Sequence, residues 1–229
     1  MKKIKYLLIP SILLAIFVIW TALVKVVDIQ YVGAAGFLGF YSLNAQINDY
    51  VQSMDTKSFD FLTDVMMFIA LSTIIPFAVL GIIQLTKRKD LKKVDPILYI
   101  ILAGYAAFVV LYFIFEIVKI NYSPLSTEED LKASYPSSHV MIFAIMGGAG
   151  IMGLLHYVNI NKGLKVLINC LFIIFTLFTA GLRLLSGQHY FTDIIGGLLI
   201  SFTVLTALHS LNKYIESEKI EENNQELSD

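Results

Sequence analysis

The chemistry in this chain is concentrated in two short polar segments set against long apolar runs. The first is Tyr135-Pro136-Ser137-Ser138-His139, and the second runs Arg183-Leu184-Leu185-Ser186-Gly187-Gln188-His189-Tyr190-Phe191-Thr192-Asp193. Together they supply two imidazoles, a guanidinium, serine hydroxyls and a carboxylate, the groups needed to hold a phosphate and attack it. His189 and Asp193 are four residues apart, so on a helix they share a face and the carboxylate can approach the ring. Such a contact fixes the tautomer and leaves the other ring nitrogen free to attack. Arg183 offers a planar fork of donors matched to phosphate oxygens, and Ser186-Gly187 suits a tight turn. In the first segment Ser137, Ser138 and the backbone N–H groups at a helix start present donors to an anion just ahead of His139. Blander readings stand beside these. The second segment can be an interfacial turn in which His and Arg snorkel and Asp caps a helix, and the first can be plain capping by Ser137 or Ser138.

The remainder of the sequence must position these groups. Hydrophobic residues make up 57% of the 229 and charged residues 15%, above the apolar share and below the charged share of a soluble domain. This composition belongs to a membrane protein. The net charge of -1 gives no reason to propose nucleic acid, and the single Cys170 excludes an intrachain disulfide and a Cys-based zinc site. A hydrocarbon core about 30 Å thick takes roughly 20 apolar residues per helix. Six stretches qualify: 4–24, 61–85, 96–118, 140–158, 166–185 and 194–211. Lys2, Lys3 and Lys5 precede the first in the manner of a signal peptide. That stretch is longer than a signal core and carries no small-x-small cleavage site, so it reads as a retained helix.

The expected fold is all-α, a polytopic bundle of six transmembrane helices over residues 1–213, followed by an acidic, partly disordered tail over 214–229. Lysines and arginines at 2–5, 87–93, 162–165 and 213–219 alternate with poorer loops, which places both termini in the cytoplasm. The loop 119–136 and the turn at Gly187 then emerge together on the outer face. His156 and His209 fall at the opposite helix ends. The loop 28–60, with Tyr31, Phe37, Phe40, Tyr41 and Tyr50, lies along the outer interface, either as a headgroup entrance or as an aromatic belt. Glu116 reads as a partner for Lys119 or Arg183, or as an exposed interfacial carboxylate. The glycines at 147, 148, 150, 153, 196 and 197 suit close helix packing, and Pro10 and Pro76 suit kinks.

Both polar segments resemble signature motifs of the phosphatidic acid phosphatase type 2 superfamily, whose members include bacterial undecaprenyl pyrophosphate and phosphatidylglycerophosphate phosphatases. The family pattern is Pro-Ser-Gly-His, then Ser-Arg with five residues to a His and three more to an Asp. Pro136, Ser137 and His139 match the first, and Arg183, His189 and Asp193 match the second. The resemblance spans residues 119–197 and implies a membrane lipid phosphatase that needs neither metal nor cofactor. It casts His189 as the nucleophile that becomes phosphohistidine, with Asp193 orienting it. It makes His139 the general acid, and it assigns the non-bridging oxygens to Arg183, Ser137 and the N–H groups near Ser138 and His139. The implied substrate is a lipid anchored in the bilayer, a polyprenyl pyrophosphate or a phosphatidate-like monoester.

Departures from the pattern are specific. The family's first motif has a lysine six residues ahead of an Arg-Pro pair. Aligning Pro124 with that proline puts Ser123 at the arginine and Glu116 at the lysine. Lys119 is a nearby candidate for a phosphate ligand, at a different spacing. Ser138 stands in place of a glycine, at a cost of about 1–2 kcal/mol if the position requires positive φ. Leu182 stands in place of the serine before the arginine. The competing expectation is therefore a weak or inactive relative that binds or transports a phospholipid. The chain shows no inverted repeat of the transporter kind, and oligomeric state and phosphate type are left open.

Overall fold

The structure is a computed structural model that describes residues 2–33 and 36–226. Inside a bilayer each backbone N–H and C=O must be satisfied within its own segment, so the apolar runs close as helices. Among the described residues six are long and apolar enough to cross a membrane: Lys5–Val24, Lys57–Arg88, Pro96–Ile117, Ser138–Tyr157, Lys162–Leu185 and Phe191–Glu221. The protein is thus a multi-pass membrane protein, built from α1 (Lys2–Val24), α5 (Pro96–Ile117), α8 (Lys162–Leu185), α9 (Phe191–Glu226) and the composite spans between them.

Two of the spans are interrupted. The second consists of α3 (Lys57–Ser72) and α4 (Ile74–Arg88), separated at Thr73. Pro76 lacks the N–H that would bond back across that joint, and the Thr73 hydroxyl donates to the Ala70 carbonyl at 2.7 Å. The fourth span starts as α6 (Ser138–Met141), widens to a π-turn over Ile142–Met146, and continues as α7 (Gly147–Tyr157). Single π-turns within helices often mark functional sites, and this one follows directly on His139.

Helix α9 is the central post, packed by α1, α5, α7, α8 and the π-turn. Lipid is as apolar as the helices, so association relies on close approach. At Gly196 an added Cβ would stand 2.5 Å from the Tyr135 ring, and at Gly148 2.6 Å from Leu205. The core around Phe17, Phe115 and Tyr135 binds α1 to the first polar segment: the Phe17 and Tyr135 rings stack at 6.4 Å, and the Thr21 and Tyr135 hydroxyls hydrogen-bond at 2.6 Å. The loop expected along the interface is more ordered than that expectation. It forms a two-stranded hairpin, β1 (Gln30–Tyr31) with β2 (Phe37–Leu38), and a short helix α2 (Tyr41–Gln52). Beyond the apolar stretch α9 runs on to Glu226, so the acidic tail is helical as far as the structure describes it; its last residues, 227–229, lie outside the described residues.

Candidate active site

Helix α8 ends at Leu185, and Gly187, with φ +71°, turns the chain toward α9. Left-handed backbone of this kind favours glycine. Just before α9, Tyr190 N–H donates to Asp193 Oδ2 at 3.0 Å. A side chain on the first turn thereby caps its own helix, half of a capping box. The other oxygen, Oδ1, accepts from Asn121 Nδ2 at 2.8 Å. Asp193 is fully buried, so these donors supply the compensation that a buried carboxylate requires. Next to it, Asn44 of α2 grips Thr192, donating to its hydroxyl at 3.0 Å and accepting from its N–H at 3.3 Å.

The spacing predicts that Asp193 orients His189. In the structure that contact is long, 3.9 Å from Nδ1 to Oδ2, whereas Nδ1 lies 2.8 Å from the Ser134 carbonyl oxygen. A carbonyl can only accept, so Nδ1 carries the proton and Nε2 is the bare nitrogen. The backbone one residue ahead of the first polar segment therefore sets the tautomer, and Asp193 braces the helix start beneath it. Burial, and after it the neighbouring Arg183 guanidinium, hold the His189 pKa well below the usual histidine value, which keeps the ring neutral and nucleophilic at pH 7. Burial also pushes Tyr190 up to about 12.

The first segment docks against this turn. Ser137 N–H donates to the Asp193 carbonyl at 3.1 Å, and its chain passes Gly197 closely enough that a Cβ there would stand 3.1 Å from the Ser137 carbonyl oxygen. Capping by Ser137, expected from sequence, is not made: it holds the N-cap position of α6 with no side-chain cap bond, and its buried Oγ has no partner. Ser138 begins the helix without positive φ, so its replacement of glycine carries no left-handed strain. It lines a narrow pocket with Glu116, Ser134, Tyr135 and His189.

Two carboxylates that sequence reasoning missed complete the site. Asp60 Oδ1 lies 2.6 Å from Arg183 Nη1, and Asp64 Oδ1 lies 3.1 Å from His139 Nε2. The start of α3 at Lys57, four residues before the apolar run, puts both on one helical face. Two aspartates at a four-residue interval beside an apolar stretch were the available signal. Beyond these contacts, Arg183 Nε, His139 Nδ1 and Ser137 Oγ are buried without partners.

His139, Arg183, His189, Asp193, Ser137 and Ser138 thus converge at one end of the bundle. Lys119 does not join them: it lies past the end of α5, exposed, with Nζ 5.8 Å from the Tyr122 ring centroid. Glu116 is exposed at the pocket rim. Ser123 serves as a tie, its hydroxyl donating to the Gln188 carbonyl at 2.8 Å and so holding the chain next to His189. Among the described residues no group of three or more His, Cys, Asp or Glu could hold a metal ion.

This architecture is shared. A solved transmembrane PAP2-type phosphatidylglycerolphosphate phosphatase from Bacillus subtilis superposes with a TM-score of 0.64, covering 90% of this chain and 96% of that one at 16% identity. At that identity the likeness is one of fold. Comparison with curated proteins gave no match. The sequence profile of the PAP2 superfamily matches residues 102–216. That match takes in both polar segments and the helices that bring them together, and on it the chain belongs to the PAP2 superfamily.

Proposed function

We propose that the protein is an integral membrane phosphatase that removes phosphate from a membrane lipid, a monoester or a pyrophosphate, at the extracytoplasmic face. The carrying observation is the convergence of Arg183, His139 and a neutral, buried His189 around buried polar atoms that lack partners. Family membership supports phosphatase chemistry, and a site at the end of the membrane-crossing helices suits a substrate anchored by its chains. Lysine and arginine placement supports cytoplasmic termini.

The reaction follows from the roles. His189 Nε2 attacks phosphorus in line with the scissile oxygen, forming an N–P bond as the P–O bond breaks. Arg183, Ser137 and the N–H groups at the start of α6 hold the non-bridging oxygens. His139 gives a proton to the leaving oxygen; with Asp64 bonded at Nε2, Nδ1 is the nitrogen that delivers it, and the ring takes up that proton as the acidic phosphate group binds. Water, deprotonated by the now neutral His139, then attacks the phosphohistidine and releases phosphate with His189 restored. These cationic and N–H groups supply the neutralisation, and turnover proceeds in EDTA.

The test is phosphate release by purified, detergent-solubilised protein from undecaprenyl pyrophosphate, phosphatidate and phosphatidylglycerophosphate, with EDTA present. Wild type releases phosphate, and His189→Ala loses more than about 10⁴-fold. The second reading, a phospholipid-binding relative without turnover, is favoured by Glu116 and Ser123 at positions where the resemblance expects cations. Silence from all three lipids in folded wild-type protein would turn the assignment toward it.

A further inference from the structure

The partners of Arg183 and His139 come from one short helix. Asp60 and Asp64 lie one turn apart on α3 with side chains 39% and 47% exposed, whereas the Arg183 side chain is 9% exposed. Thr63, between them and fully buried, places its hydroxyl 3.4 Å from the same Arg183 nitrogen. A carboxylate at 2.6 Å on a guanidinium fork occupies the place of a phosphate oxygen, since a carboxylate and a pair of phosphate oxygens both offer anionic acceptors to the same donors. The guanidinium is nevertheless only partly used. Arg183 Nε, together with Ser137 Oγ and His139 Nδ1, is buried and unpartnered, and buried polar atoms of this kind call for a ligand.

The charge count gives the carboxylates their consequence. The charged groups around the two imidazoles are Arg183, Asp60 and Asp64, with the buried Asp193 braced beneath His189 and the exposed Glu116 at the pocket rim. One permanent cation therefore serves two partly exposed carboxylates before any substrate arrives. Repulsion between these carboxylates and an incoming anion grows with the anion's own charge, so it weighs more on a pyrophosphate than on a monoester.

Resting on the phosphatase reading for its catalytic meaning, we propose that Asp60 is a specificity-determining residue: it competes with the incoming phosphoryl group for Arg183, and with Asp64 behind it biases the site toward the less charged monoester over the pyrophosphate. A purely structural Asp60, one that only holds Arg183 in place, makes the opposite prediction, because its loss would loosen the guanidinium and weaken anion binding.

The experiment measures binding of inorganic phosphate and inorganic pyrophosphate to the full chain in detergent by titration calorimetry, for wild type, Asp60→Asn and Asp60→Ser. Turnover of phosphatidate and undecaprenyl pyrophosphate is followed in parallel. The expected result is phosphate binding about tenfold tighter in either variant, the scale of one charge-assisted hydrogen bond. Pyrophosphate should gain by a larger factor, and KM for each lipid should fall in step. Unchanged or weaker binding in a variant that melts within a few degrees of wild type overturns the proposal, as does an equal gain for both anions. Two variants at one position guard against a single failure to fold. Should the chain lack phosphatase activity, turnover is absent throughout while the binding gain still appears. Should turnover be present without any binding gain, the proposal falls and the phosphatase reading stands.

Discussion

The Ser138–Tyr157 span carries a histidine near each end, and each meets an aspartate: His139 with Asp64 at 3.1 Å, and His156 with Asp95 at 3.0 Å, about 25 Å apart along the helix. The two ends differ in what surrounds the pair. At the His156 end no buried side-chain polar atom among the described residues lacks a partner. Asp95 accepts from Ile97 N–H to cap α5, its own N–H donates to Gln84 Oε1, and Gln84 Nε2 donates to the Tyr157 hydroxyl. At the His139 end buried polar atoms that include Arg183 Nε, His139 Nδ1 and Ser137 Oγ have nothing to bond. A histidine–carboxylate contact alone is therefore no mark of catalysis. The mark is unfilled hydrogen-bonding capacity gathered around it.

The hardest way to break this contrast is to remove each ring in turn. His139→Ala should lower turnover of the preferred lipid by about 10²–10⁴-fold, the usual contribution of a positioned acid, measured as phosphate release in steady state. Comparable activity in that variant would erase the distinction. A second comparison concerns packing beneath the site. Gly196→Ala drives a methyl to 2.5 Å from Tyr135, while Gly181 faces open space. Overpacking of that kind costs about 1–3 kcal/mol, so Gly196→Ala should melt several degrees below wild type and Gly181→Ala should not.

A subtler effect is pH linkage through His189. Its folded pKa lies well below 6.5, the ordinary value that the unfolded chain retains. Above that value both states are neutral and nothing is lost. As pH falls below it, the unfolded chain binds a proton that the folded site refuses, so stability declines. Thermal melts between pH 7 and pH 5 should show a steeper fall for wild type than for His189→Gln. The smallest effect belongs to the His156 end: His156→Ala should leave turnover within about twofold and stability within about 1 kcal/mol, as expected of a partly exposed pair.

Much of this was legible in the sequence, and the exceptions share a cause. Six apolar runs announced six helices because spanning length depends on summed apolarity, a property of each segment alone. The two polar segments stood out for the same reason, polar groups being costly among such runs. Missing were the identities of the partners. The acceptor that sets the His189 tautomer is the Ser134 carbonyl, a backbone group present at every residue and invisible to any reading of side chains. Asp60 looked like the last residue of a loop because the apolar run starts at Phe61, yet the helix begins at Lys57. Ser137 looked like a cap, but the N-cap position is filled by its backbone while the hydroxyl is left without a bond.

The chain has a single tryptophan, and Trp20 is committed to the site: its indole N–H donates to the Thr192 carbonyl at 3.2 Å and its ring stacks on Phe40 at 5.3 Å. Tryptophan emission, selected by exciting to the red of tyrosine absorption, is therefore emission from one place, beside the residue that precedes Asp193. Indole fluorescence answers to the polarity and hydrogen bonding around it, so this chain carries its own optical reporter, able to register occupancy of the site in detergent or in vesicles without any dye attached.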